Sequence, residues 1–269
     1  MSGVVTIVQA RTGSTRLPGK VLLPLGDATV LDVMLGRVKS ARLAGRIVVA
    51  TTREPADDAI TDIATRNGVA WYRGHTADLL DRHYQAALAH EADHVVKIPS
   101  DCPLIDPRVI DDVVGAYLAR SDADYVSNLH PPTHVDGNDV EILRMDALAA
   151  AWRESSRPYE REHTTPFVWS RALRFRVANV AAAGPNRAET HRAVLDYPED
   201  YEVIRRVYDA LSTGAAPFTV DDVTQYLDDH PAIAALNERH RGDHWYLRYR
   251  DELAHADGTA ARELHALVA

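Results

Sequence analysis

Two hydrophobic rhythms alternate along the first 125 residues. Val4–Val8 is a short apolar, β-branched run, which predicts a strand buried on both faces. Residues 30–41 (VLDVMLGRVKSA) place apolar side chains at helical spacing, and Arg46–Thr51 (RIVVAT) predicts a second strand. A helix over 56–66 and a third strand over Val69–Tyr72 follow. Residues 77–90 (ADLLDRHYQAALAH) form an amphipathic helix, and Asp93–Ile98 (DHVVKI) a fourth strand. Pro107 then opens a helix at about residue 108, since proline suits a first helical turn. Repeated β-α-β units with short connections imply an α/β fold with a mostly parallel sheet covered by helices. Ligands of such sheets bind outside the carboxyl ends of the strands.

The rhythm loosens after residue 125. Residues 128–142 (NLHPPTHVDGNDVEI) mix prolines, a glycine and acids. Helices near 145–154 and 159–170 and a β-like run at Leu173–Val180 follow. This suggests a subdomain inserted over about 128–182 of a single domain spanning 1–250. The chain returns through HRAVLDYPEDYEVIRRVYDAL, read as a strand, a turn and a helix. Residues 251–269 are expected to be a C-terminal tail that frays.

Charge sharpens this picture. The net charge of −9 argues against a general nucleic-acid binder, which needs a basic face. Yet the first acidic residue is Asp27, and Arg11, Arg16 and Lys20 precede it unneutralised. That is a local anion site on an acidic protein. No apolar stretch suits a bilayer span and no leader pattern opens the chain, so the expected compartment is the cytoplasm. The one cysteine, Cys102, excludes an intramolecular disulfide and a four-cysteine zinc site.

The chemistry concentrates in Gln9-Ala10-Arg11-Thr12-Gly13-Ser14-Thr15-Arg16-Leu17-Pro18-Gly19-Lys20, directly after the first strand. Glycines and small hydroxyl residues let backbone N–H groups approach phosphate oxygens, and the cations match a polyphosphate. The loop is not a P-loop. Five residues separate Gly13 from Gly19 where that motif needs four, and Val21 stands where Ser or Thr should be.

QARTGSTRLPGKVL resembles the signature of the cytidylyltransferases that activate sugar acids, such as 3-deoxy-manno-octulosonate and acylneuraminate cytidylyltransferases. It is closer still to the spore-coat polysaccharide biosynthesis family labelled SpsF. The likeness continues in RGHTADLLDRHYQAA (73–87), SDCPLIDP (100–107), DGNDVEIL (136–143), YEREHTTPF (159–167), LDYPEDYEVIRR (195–206) and the NERH…WYLR stretch near the end. It covers roughly residues 3–248.

The resemblance implies a Rossmann-like, three-layer α/β/α nucleotidyltransferase fold (GT-A-like) whose small inserted subdomain helps form a homodimer. It implies transfer of CMP from CTP to a small-molecule acceptor, with Mg2+ as cofactor and with neither nucleic acid nor membrane as partner. Arg11 and Lys20 would grip the triphosphate and, with Asp101, carry catalysis. Gln9, Ala10, Gly13, Ser14, Arg16, Thr51, Arg73, Arg82 and Ser100 would complete the nucleotide site. Asp101 and Asp196, each expected at the end of a strand, would hold the metal. Asp139, Glu141, Arg161 and His163 would meet the acceptor, with His134 and Asp136 shaping its loop.

Two departures stand out. Ser100 occupies a position where glycine is usual, and Asn138 stands where leucine is usual. His90-Glu91-Ala92-Asp93-His94 fits H-E-x-x-H, but His94 opens a strand, so a zinc site is not expected. Two other readings compete with the first: a GT-A-type glycosyltransferase using a nucleotide sugar, and a catalytically impaired nucleotide-binding protein. Against the former, Ser100-Asp101-Cys102 lacks a D-x-D metal motif.

Overall fold

Strand β1 (Val4–Gln9) is the axis of the fold, and its pleat explains the layers. Val4 and Val8 point to one face and Val5 and Ile7 to the other, all buried. The computed structural model describes residues 3–212, 214 and 216–254. After β1 come a small hairpin, β2 (Pro24–Leu25) and β3 (Ala28–Thr29), and helix α1 (Val30–Lys39). Thr29 caps α1 reciprocally with Asp32, which satisfies amide groups the first turn leaves unpaired. The order continues β4 (Arg46–Thr52), α2 (Asp58–Arg66), β5 (Ala70–Gly74), α3 (Leu79–Ala89), β6 (His94–Pro99) and α4 (Pro107–Leu118). Pro107 is the first residue of α4, where its missing N–H costs nothing.

The second half adds β7 (Tyr125–Ser127), β8 (Glu141–Arg144), α5 (Met145–Glu154), α6 (Pro158–His163), α7 (Pro166–Trp169) and β9 (Val177–Asn179). Helices α8 (Pro198–Leu211), α9 (Val220–Asp229), α10 (Pro231–Ala234) and α11 (Arg250–Ala254) follow. Seven strands form one sheet in the order β5-β4-β1-β6-β8-β7-β9. Only β8 runs against the others, since it pairs antiparallel with both β6 and β7. Helices α1, α2 and α4 cover one face, and α3, α5, α6 and α7 the other, giving the three-layer α/β/α arrangement. A third cluster packs α8 and α9 against the β2–β3 hairpin and Leu104.

Residues 128–182 contribute β8 and β9 to this same sheet. The structure corrects three sequence expectations. No strand forms over 191–196, where there is a single bridge, Arg192 to Asp136. The helix expected over 159–170 is two helices, because Thr164 sits at φ 73 and Pro166 starts α7 afresh. The β-like run at 173–180 pairs only over Val177–Asn179. The expected tail lies outside the described residues from 255 onward, and 251–254 belong to α11. No helix among the described residues is long and apolar enough to cross a membrane.

His83 shows how dry the α3 face is. It is fully buried, and its Nδ1 lies 2.9 Å from the Leu79 carbonyl, so Nδ1 carries the proton and donates. Burial pushes its pKa down to about 3. The folded form therefore stays neutral while an unfolded chain takes a proton below about pH 6.5, so this contribution to stability is lost as pH falls below that value. Its ring NMR signals should stay fixed from pH 8 to pH 5. A midpoint near 6.5 would show that water reaches the ring.

Candidate active site

The carboxyl ends of β1, β4, β5 and β6 share one edge of the sheet, because the four run parallel in register. Antiparallel β8 brings its first residue, Glu141, to that edge opposite Lys97. A cleft of about 460 Å³ opens there. The loop after β1 forms one wall. Thr12 pins it by donating backbone N–H and hydroxyl to Asp57 Oδ1 at 2.8 and 2.7 Å. Gly19 adopts φ 70, a left-handed turn that favours glycine, and sends Lys20 inward.

Lys20 is the hub of the cleft. Its Nζ donates to the Leu195 carbonyl at 2.7 Å and to Asp196 Oδ1 at 2.9 Å, and lies 3.4 Å from Asp101 Oδ2. Burial opposes its charge, but Asp101 and Asp196 outweigh burial and raise its pKa. Arg16 reaches the same Asp196 Oδ1 at 2.7 Å, and Arg192 reaches Asp196 Oδ2 at 3.5 Å. Burial would raise the Asp196 carboxyl, yet Lys20, Arg16 and Arg192 hold it below its ordinary value. Asp101 and Asp196 thus converge as expected, but not at two strand ends. Asp101 follows β6 by two residues, and Asp196 lies in a bend just before α8, tied to Asp101 by the Leu195 N–H···O bond of 2.7 Å.

Arg82 is 3% exposed and lines the cleft from α3. Its Nη1 donates to the carbonyls of His75 and Thr76, its Nε has no partner, and no carboxylate pairs with it among the described residues. Burial, then repulsion from Arg11, lowers its pKa to about 10. A buried, unpaired guanidinium beside a second arginine calls for an anion. Gln9, Ala10, Arg11, Ser14, Arg16 and Ser100 line the same cleft. Ser100 has no positive φ, so its backbone needs no glycine.

Asp139, Glu141, Glu162 and His163 also line the cleft. Glu141 is buried and paired with Lys97, with further hydrogen bonds from the Tyr125 and Thr165 hydroxyls. His163 stacks on Trp245 with ring centroids 3.7 Å apart. Burial, then Lys97, pushes its pKa down to about 3. Burial and the carboxylates of Asp101, Asp196 and Asp200 push the Asp136 carboxyl up to about 7 against the pull of Arg192.

Four expected site residues lie elsewhere. Arg161 clamps Asp78 and donates to the Trp152 carbonyl at 2.7 Å, outside the cleft lining. Arg73 bonds the Thr52 and Glu54 carbonyls and pairs with Asp58. Thr51 is buried within β4, and Gly13 is exposed on the loop without lining the cleft. Asn138 is a loop brace, its Oδ1 accepting the Asp106 N–H at 2.9 Å and its Nδ2 donating to the Val135 carbonyl. The His90–His94 pattern breaks where α3 ends and Glu91 turns to φ 53. Cys102 is fully buried, and burial followed by Asp139 and Asp101 pushes its thiol up, away from a nucleophilic thiolate. Sequence reading missed Lys97 and Arg192 as cleft residues, and the wall formed by His244, Trp245 and Tyr249. The signals available were a lysine inside an otherwise apolar strand and the aromatic cluster of the WYLR stretch.

Residues 5–226 match the family model described as Cytidylyltransferase. The chain is 30% identical over 249 residues to the spore coat polysaccharide biosynthesis protein SpsF of Bacillus subtilis, covering 88% of this chain and 99% of that one. It is 36% identical over 237 residues to a 3-deoxy-manno-octulosonate cytidylyltransferase of Anaeromyxobacter, covering 82% and 93%. A cytidylyltransferase structure from Leptospira borgpetersenii superposes with a TM-score of 0.82 at 33% identity, covering 87% of this chain and 97% of that one. With the Arg- and Lys-bearing loop, two convergent aspartates and a nucleotidyltransferase sheet in place, the chain belongs to the cytidylyltransferase family.

Proposed function

We propose that this protein transfers CMP from CTP to a hydroxyl of a sugar acid and releases pyrophosphate, with magnesium as cofactor. The observation that carries this reading is the set of cations gathered around two aspartates in the cleft. Arg11, Arg16, Lys20 and Arg82 line the same cleft as Asp101 and Asp196, and Arg82 is buried without a carboxylate partner among the described residues. Those cations suit a triphosphate, and Asp139, Glu141 and His163, which line the same cleft, suit a hydroxylated acceptor. The acceptor hydroxyl oxygen attacks the α-phosphorus and gives up its proton to solvent, the bond to the bridging α–β oxygen breaks, and pyrophosphate leaves. Such a step needs alignment and charge stabilisation more than a protein nucleophile. Arg11 and Arg82 would hold the outer phosphates, and Lys20 would meet charge building on the α-phosphate.

The donor set fits magnesium. Asp101 and Asp196 offer hard carboxylate oxygens facing one point, where the Lys20 ammonium now lies within 3.4 Å of both. No group of three or more His, Cys, Asp or Glu among the described residues forms a metal cage, so substrate oxygens and water would complete the shell. When bound, the ion would neutralise phosphate charge.

Thermal unfolding with magnesium and each nucleotide tests the reading without an acceptor. CTP at about a hundred times its Kd should add about 2.7 kcal/mol of stability. For a chain of this size that is a Tm rise of roughly 5–10 °C. UTP, ATP and GTP should shift it less. A response to UDP-sugars with none to CTP would overturn the proposal in favour of a glycosyltransferase.

A further inference from the structure

The Lys20 ammonium sits between the two carboxylates that suit magnesium, and all of its hydrogens are used. A lysine ammonium has three donors and no acceptor. Lys20 Nζ meets three oxygens: the Leu195 carbonyl at 2.7 Å, Asp196 Oδ1 at 2.9 Å and Asp101 Oδ2 at 3.4 Å. The residue is buried, so water is a poor substitute for any acceptor it gives up. Two carboxylates facing one point repel each other, and the ammonium between them offsets that repulsion.

Asp196 has no oxygen left over for a further cation. Its Oδ1 also takes Arg16 at 2.7 Å, and its Oδ2 faces Arg192 at 3.5 Å. The two arginines differ in freedom. Arg192 is buried and fixed by Asp136 and Asp200, whereas the Arg16 side chain is partly exposed on the cleft wall. A divalent ion arriving alone meets the charges of Lys20 and Arg16 on the oxygens it needs. It also brings no acceptor for the ammonium it displaces. A triphosphate brings both missing parts: oxygens that accept the Lys20 and Arg16 hydrogens, and negative charge that offsets the ion.

We propose that Lys20 is a placeholder for the metal. It holds Asp101 and Asp196 together in the metal-free protein and gives way only when phosphate oxygens take up its ammonium, so the ion enters with the nucleotide and not before it. This role rests on the cytidylyltransferase reading with magnesium at the two aspartates. It makes Lys20 a positioning residue for the carboxylates as well as a phosphate ligand.

Mn2+ is the probe, since it favours carboxylate and water oxygens as magnesium does. Ultrafiltration of the full chain measures the Mn2+ retained with the protein, with and without CTP. The parent is expected to retain Mn2+ with CTP and to bind it about tenfold or more weakly alone, because like charges a few ångströms apart oppose the ion. Lys20→Met removes the charge and keeps a chain of similar length. Without CTP it should bind Mn2+ about tenfold or more tightly than the parent, for the same reason, and adding Asp101→Asn should erase the gain. Lys20→Arg keeps the charge and should exclude the ion as the parent does. A lysine with a purely structural role would give no variant that gains metal. Parent protein that binds Mn2+ as tightly without CTP as with it overturns the placeholder, and this titration stands by itself should Lys20→Met not fold. If the parent retains Mn2+ only with CTP and Lys20→Met gains nothing, the magnesium reading stands and the placeholder falls. If neither protein retains Mn2+ under any condition while CTP still raises Tm, the magnesium reading fails and the placeholder with it.

Discussion

Asp101→Asn is expected to lower the rate of pyrophosphate release from CTP by about 100-fold or more, the scale of losing one charge contact that acts on a transition state. The substitution keeps the shape of the side chain and removes its charge. The fold has little to lose, because the Asp101 side chain is 26% exposed and its ion pair with Lys20 is long at 3.4 Å. Partly exposed pairs of that kind contribute about 0–1 kcal/mol. The backbone carbonyl that anchors Leu195 is unaffected. Activity and stability should therefore separate, with Tm within about 2–3 °C of the parent. Release can be followed with 3-deoxy-manno-octulosonate as the first acceptor, and the magnesium-dependent thermal response to CTP should shrink alongside. A variant keeping more than a tenth of the parent rate would remove Asp101 from the chemistry. Asp196 is a poorer probe, since Lys20, Arg16 and Arg192 all lean on it and its loss would mix structure with function.

The parts of this site that were legible in the sequence are those fixed by local pattern. Val4–Val8 had to be a buried strand, and a basic loop directly after it had to lie at the ligand edge of a parallel sheet. Lys20 as a cation was readable. Its role as the link between Asp101 and Asp196 was not, because the partners lie 81 and 176 residues away. The run before Asp196 looks like a strand by composition. Its backbone instead bonds the Asp101 and Asp136 carbonyls, a tertiary choice no periodicity reveals. Arg73 and Arg161 illustrate the converse. Charge type made them candidates, but Asp58 and Asp78 lie close enough to claim them. Arg82 has the same charge and no such claimant among the described residues, so it faces the cleft unpaired. What separates the three is the position of carboxylates, which the fold sets.

Asp200→Ala should cost about 3–5 kcal/mol, the range for leaving a buried charge without its partner. Asp200 is fully buried at the start of α8 and accepts five hydrogen bonds. Arg192 donates Nε and Nη2 at 2.9 and 3.1 Å, the Asp196 and Tyr197 backbone N–H groups donate at 3.0 and 2.9 Å, and Asn237 Nδ2 donates at 2.9 Å. Alanine would strand all five donors. Arg192, with 2% of its side chain exposed, would lean harder on Asp136 and Asp196 and drag both away from their places in the cleft. For a chain of this length the loss corresponds to a Tm fall of about 10 °C or more. Asp200→Asn keeps an acceptor oxygen for some of the donors and should cost less than alanine, with a smaller fall in Tm. Urea denaturation at constant m-value would show that the native state, and not the unfolded chain, has changed. A loss below about 1 kcal/mol for the alanine variant would mean that the five donors find water or other acceptors, and that the aim of Asp196 does not depend on this carboxylate.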